Sequence, residues 1–180
     1  MYCFQCQEAA KGVACTVNGV CGKNNEVSDL QDILIYALKG IAIVSEEAVN
    51  RSIELPSNTD KVIFDGLFAT ITNANFSRSV FVNSIIEALQ VRNVIMQKLL
   101  TDGFMPKNLH PSLTWNAKTE AEIMQQATAA SVLATGNEDV RSLRELLIYG
   151  VKGMAAYAEH AFNLNYKNEE IFAFMRKALA

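Results

Sequence analysis

Beyond residue 24, apolar side chains recur at every third or fourth position and strand-like alternation is absent, so the period predicts an all-α chain. A first helix is expected from about Ser28 to about Arg51, opened by a capping box in which Ser28 and Gln31 each satisfy an orphan backbone N–H. Pro56 closes the turn that follows. Ser57 and Asp60 form a looser start for a second helix through "KVIFDGLFATI", ending near Thr72. In "NFSRSVFVNSIIEALQVRNVIMQKLL", Val80, Ile85, Leu89, Ile95 and Leu99 fall near one face of a third helix. Three antiparallel helices of this size make a bundle.

Residues 102–118 contain Gly103, Pro106, Pro111 and the single tryptophan, Trp115, and read as an ordered crossover loop in which Trp115 and His110 plug the bundle end. Thr119 and Glu122 then cap a shorter helix that stops before Gly136.

The pattern next repeats itself. "LQDILIYALKGIAIVSEEA" (30–48) and "LRELLIYGVKGMAAYAEHA" (143–161) align without a gap at an offset of 113, with nine of nineteen positions identical. A second, repeat-related bundle is therefore expected. Both copies place a glycine, Gly40 or Gly153, inside a helix, where it costs ~1 kcal/mol against alanine. A close helix crossing that no β-carbon could enter accounts for both, with Tyr36 and Tyr149 packed one turn earlier. Lys39 and Lys152 are expected at the surface, their stems along the crossing and their amines in water. After Ala161 a helical hairpin runs to the last residue without glycine, proline or a polar tail, so the second bundle reads as incomplete and its continuation as lost. The expected divisions are a cysteine loop at 1–24, a first three-helix bundle with its crossover at 25–118, and a partial bundle at 119–180.

Composition narrows the function. Half of the residues are apolar, 19% are charged and the net charge is −3, which describes a globular chain without a basic face, so nucleic acid is not an expected partner. No apolar run approaches the ~18 residues of a membrane helix, and Cys3 and Cys6 occupy the place of a signal peptide's charged start. A cytoplasmic location follows as the expectation. There, clustered cysteines bind metals or carry redox chemistry more readily than they form disulfides.

All four cysteines, Cys3, Cys6, Cys15 and Cys21, lie in the first 21 residues, spaced Cys-x2-Cys-x8-Cys-x5-Cys. The close pair directs two thiolates at one centre and the other two complete four ligands, which suits tetrahedral zinc or the four irons of a cubane. Gly12, Gly19 and Gly22 tilt the choice toward an iron–sulfur cluster, because backbone N–H groups beside glycine approach sulfur closely and stabilise a reduced state; zinc stays open. An interhelical metal site from Glu46, Glu47, Glu159 and His160 is set aside, since inward Glu-x-x-His pairs are lacking.

The segments "CFQCQEAAKGVACTVNGVCGK", "LQDILIYALKGIA" and "LRELLIYGVKGMAAYAEHA" together resemble the N-terminal domain of the hybrid-cluster (prismane) protein family, whose members are known as hydroxylamine reductases. The resemblance implies that Cys3, Cys6, Cys15 and Cys21 bind a cubane [4Fe-4S] cluster, in a first domain of two three-helix bundles. It also implies a second, catalytic hybrid cluster held by two further α/β domains, where hydroxylamine or nitric oxide is reduced. No cysteine follows Cys21, so the hybrid cluster is not expected on this chain and no residue is assigned as catalytic. The implied role is one-electron shuttling from a small donor protein. Other expected partners are the catalytic domains, if the chain is a fragment, or a second copy that completes the open bundle. The competing reading is an assembly module that binds zinc, or no metal, without redox activity.

Overall fold

The computed structural model of the chain describes residues 1–107 and 109–180; Asn108, in the expected crossover, lies outside the described residues. Among the described residues there are eight α-helices and no β-strand, so the all-α expectation holds. They are α1 (Asn25–Asn50), α2 (Thr59–Ile71), α3 (Arg78–Thr101), α4 (Pro111–Thr114), α5 (Glu120–Met124), α6 (Ala127–Ala130), α7 (Glu138–Asn163) and α8 (Glu169–Leu179). None of these helices is long and apolar enough to cross a membrane.

Helix α1 begins earlier than the Ser28–Gln31 capping box predicted. Asn24 is the cap, its side chain accepting from the Val27 N–H at 2.9 Å, while Ser28 and Gln31 are buried inside the helix. The Thr119–Glu122 capping box does form, and it starts α5. The single helix expected up to Gly136 is instead broken into α5, α6 and a 3-10 turn at Val132–Ala134. Ser131 turns extended there and its hydroxyl accepts from the Leu133 N–H, giving the chain a competing local bond.

The two copies of the repeat form helices of equal length with unequal surroundings. In α1, 17 of 26 residues are buried, because α2, α3, α4, α5, α6 and α8 surround it. In α7 only 5 of 26 are buried, since it packs on α2, α8 and the 3-10 turn. Leu30, Ile33, Ala37, Leu38 and Ile41 on α1 are fully enclosed, each large side chain contributing roughly 1.5–3 kcal/mol. Phe64 of α2 lies 5.3 Å from Phe162 and 5.6 Å from Phe172, ring centre to centre, and so ties α7 and α8 to the first three helices.

Gly40 is placed as a close approach requires, and its neighbour is the short helix α4. A β-carbon there would stand 2.8 Å from the Ser112 carbonyl oxygen in the crossover segment. Arg92 of α3, fully buried, fixes that segment by donating to Ser112 O at 2.6 Å and to Asn116 Oδ1 at 2.8 Å. Burial lowers the Arg92 pKa to about 10, which leaves it charged at neutral pH. Tyr36, near the middle of α1, packs on His110 and Trp115 with ring centres 5.9 and 6.1 Å away, so the two side chains lie against the flank of that helix and not at its end. The same explanation fails at Gly153, where a β-carbon would meet nothing within 4 Å.

Candidate metal centre

The first 24 residues are held by local backbone bonds. Cys3 and Cys15 exchange both N–H···O bonds at 3.0 Å in an isolated antiparallel bridge, which fixes the two residues side by side, and both are buried. The segment before Cys21 closes through Gly19 N–H to Lys23 O at 2.8 Å. Glycine fits closely at 19, since a β-carbon would stand 3.0 Å from both Cys21 Sγ and Lys23 Cβ and would push on them. The N–H groups of Gly12, Gly19 and Gly22 are all taken up by the loop's own turns. Lys23 provides a side-chain donor, its Nζ lying 3.6 Å from Cys3 Sγ.

None of the four predicted cysteines is in a disulfide, and all four line one narrow recess together with Gln5, Gly19 and Lys23. Cys3 and Cys15, fixed by their bridge, are buried, while Cys6 and Cys21 are half-buried. Among the described residues, no three His, Cys, Asp or Glu side chains are gathered tightly enough to mark a single-ion site. A cubane distributes its four thiolates over four separate irons, so it needs a common recess and not a common point. The donor set therefore fits an iron–sulfur cluster by its chemistry. Gln31 Nε2, on the residue that accepts from Lys23, is buried without a partner.

Beneath the loop lies a charged layer that sequence reasoning missed. Lys152 is 2% exposed, contrary to its expected surface position. Its amine donates to the Gln5 backbone oxygen at 3.1 Å and to the Gln5 side-chain oxygen, while the Gln5 amide donates to Asp32. Gln5 thus bridges a buried ammonium and a buried carboxyl through one side chain. Burial raises the Asp32 pKa to about 7, against the pull of the Gln5 bond and of Lys152. Burial lowers the Lys152 pKa to about 8, against Asp32 and Glu145. At the repeat offset, Asp32 and Lys39 of α1 correspond to Glu145 and Lys152 of α7. Lys39, half-buried, is lowered by burial and drawn back up by Glu145, completing a cross-matched set of two acids and two amines. The signal for this layer was the repeat itself, which conserves charge sign at both positions.

The YxxKG faces consequently serve parallel ends. In the first copy Tyr36 and Gly40 receive the crossover segment; in the second, Lys152 grips Gln5 and the Tyr149 hydroxyl donates to Gln7 Oε1 at 3.2 Å. The first face packs on the short helix α4 and its flanks, the second on the irregular cysteine loop. A groove beside the cysteine loop, walled by Tyr2, Phe4, Cys6, Leu146 and Tyr149, leads from the site to the outer face of α7. In the set-aside cluster, Glu46 approaches Arg176 and Glu47 pairs with Arg51, while His160 lies 3.2 Å from its neighbour Glu159.

Comparison with known proteins matches residues 1–180 to the Prismane/CO dehydrogenase family. The chain is 55% identical over 181 residues to a hydroxylamine reductase of Desulfitobacterium hafniense, covering 100% of this chain and 33% of that protein. It is 48% identical to one from Thermoanaerobacter pseudethanolicus, covering 100% and 33%, and 46% identical to one from Bacteroides thetaiotaomicron, covering 100% and 32%. The chain spans about a third of the length of these curated relatives. With a match along its whole length and relatives at this level of identity, the chain belongs to the Prismane/CO dehydrogenase family.

Proposed function

We propose that this chain is the electron-entry portion of a hydroxylamine-reductase-type protein, with Cys3, Cys6, Cys15 and Cys21 as the ligands of one [4Fe-4S] cluster. The observation that carries the reading is the opening of all four thiols onto one recess, in a chain about half identical to hydroxylamine reductases. When bound, such a cluster supplies one-electron exchange. The chain's own residues hold and shield it: the Cys3–Cys15 bridge anchors two thiolates, and Lys152 and Asp32 clamp Gln5 against the helical body. Cys6 and Cys21, half-buried, mark the side from which a small donor protein delivers electrons.

Hydroxylamine reduction, in this reading, belongs to parts of such proteins outside the matched third. Those parts are also the proposed partner for α7, whose Leu143, Leu146 and Tyr157 are 67, 68 and 81% exposed. The face begins at the groove beside Cys6, so a domain seated on it lies next to the site.

Prepared and reconstituted with iron and sulfide under anaerobic conditions, the chain is expected to be brown and to lose a broad visible absorption on reduction. A colourless protein with one zinc per chain overturns the proposal in favour of a structural module. Hydroxylamine turnover by the 180-residue chain alone is expected to match free iron–sulfur cluster; robust turnover contradicts the division of labour.

A further inference from the structure

Lys23 is 1% exposed, among the most completely enclosed side chains of the molecule. Buried lysines ordinarily face a carboxylate. This one does not: its hydrogen-bond partners are Cys3 Sγ at 3.6 Å and the Gln31 side-chain oxygen on α1. None of the ion pairs among the described residues includes it. An ammonium enclosed in this way is stabilised if the sulfur it touches is a thiolate, and further if that thiolate belongs to a negatively charged unit.

We propose that Lys23 is a positioning residue that sets the reduction potential of the cysteine site: its ammonium, anchored by Gln31, donates to Cys3 and favours the reduced form of the iron–sulfur cluster. The inference rests on the cluster reading above. Reduction adds one electron, taken from the donor protein, and no bond within the protein is made or broken. The added negative charge sits in a poorly solvated recess, where an N–H···S bond and a nearby cation stabilise the reduced state more than the oxidised one. Position supports the assignment. Lys23 follows Cys21 by two residues, is aligned by the Gly19 turn, and reaches across the recess to Cys3, so it spans the ligand set.

The test is a redox titration at one fixed pH of the reconstituted wild-type chain, Lys23→Met, Lys23→Arg and Gln31→Leu, each with its iron, sulfide and visible spectrum measured. At the wild-type midpoint, Lys23→Met is expected to show a reduced-to-oxidised ratio about tenfold lower, a shift of about 59 mV toward negative potential for one electron. Lys23→Arg should restore most of the difference. Gln31→Leu, which frees the amine from its anchor, should shift in the same direction by less. A fully loaded Lys23→Met with the wild-type midpoint overturns the inference and leaves the cluster reading standing. If Lys23→Met does not load, Gln31→Leu decides, and an unchanged midpoint there overturns the inference. Absence of iron and sulfide from the wild-type chain overturns the cluster reading itself.

Discussion

Gly40 and Gly153 hold the same place in the repeated segment, and their surroundings give opposite predictions for one substitution. Gly40→Ala places a methyl 2.8 Å from the Ser112 carbonyl, whose backbone is pinned by Arg92, so a loss of about 1–3 kcal/mol is expected. Gly153→Ala meets open space and is expected to stabilise by up to ~1 kcal/mol through helix propensity. Urea unfolding midpoints measure both. The charged layer gives a second prediction at this scale. Asp32 titrates near 7 when folded and near 3.8 when unfolded, so between these values the folded chain holds a proton that the unfolded chain lacks. Its contribution to stability therefore falls as pH rises through that window. Melting temperatures of wild type relative to Asp32→Asn should decline from about pH 4.5 to 7.5; a difference constant with pH contradicts the assignment. Sequence placed the cysteines in one candidate site but put Lys152 at the surface. The reason is physical: a lysine beside a helix crossing ordinarily snorkels, and its burial depends on Gln5, 147 residues away in sequence.

At the scale of elements, the start of α1 separates two readings of one stretch. Ser28 and Gln31 have capping-box spacing, yet Asn24 provides the cap, and Ser28 Oγ is buried without a partner. Asn24→Ala is expected to cost about 1 kcal/mol, whereas Ser28→Ala should not destabilise. Denaturant unfolding of the two variants distinguishes them. Helix existence was legible from the apolar period alone in α1, α2, α3, α7 and α8. The boundaries were less so, because several polar residues near a helix start compete to cap it, and tertiary burial decides between them. The crossover shows the same limit. Trp115 and His110 were expected to pack on the first bundle and do so through Tyr36, on the flank of α1, but the residue that pins the segment, Arg92, lies mid-helix on α3 and carries no local signal of its contact with Ser112. Replacing Arg92 with Leu leaves that carbonyl unpaired and is expected to cost about 2–3 kcal/mol.

For the molecule as a whole, the repeat predicted two related helices but not their different depths. α1 became the centre because five of its neighbours precede residue 131 and wrap it, while α7 has α2 and α8 on one side and an open face on the other. Leu143, Leu146, Leu147 and Tyr157 on that face form an apolar stripe of the kind that is covered in an assembly. Sedimentation of the isolated chain should show concentration-dependent association, and Leu143→Glu with Leu146→Glu should abolish it; a monomer at all concentrations in both forms contradicts an assembly role for the stripe. The fold class was legible because periodicity is local, and the cysteine set because its spacing is compact. The charged floor under the loop was not, since it joins residues 5, 32 and 152 that only the folded chain assembles.

The most direct measurement is the iron and acid-labile sulfide content per chain after anaerobic reconstitution, taken alongside Cys15→Ser. The account predicts about four of each in wild type, as a cubane on four thiolates requires, and a marked loss in the variant. Wild type that retains zinc and no sulfide, or a Cys15→Ser chain that holds iron and sulfide as wild type does, contradicts it.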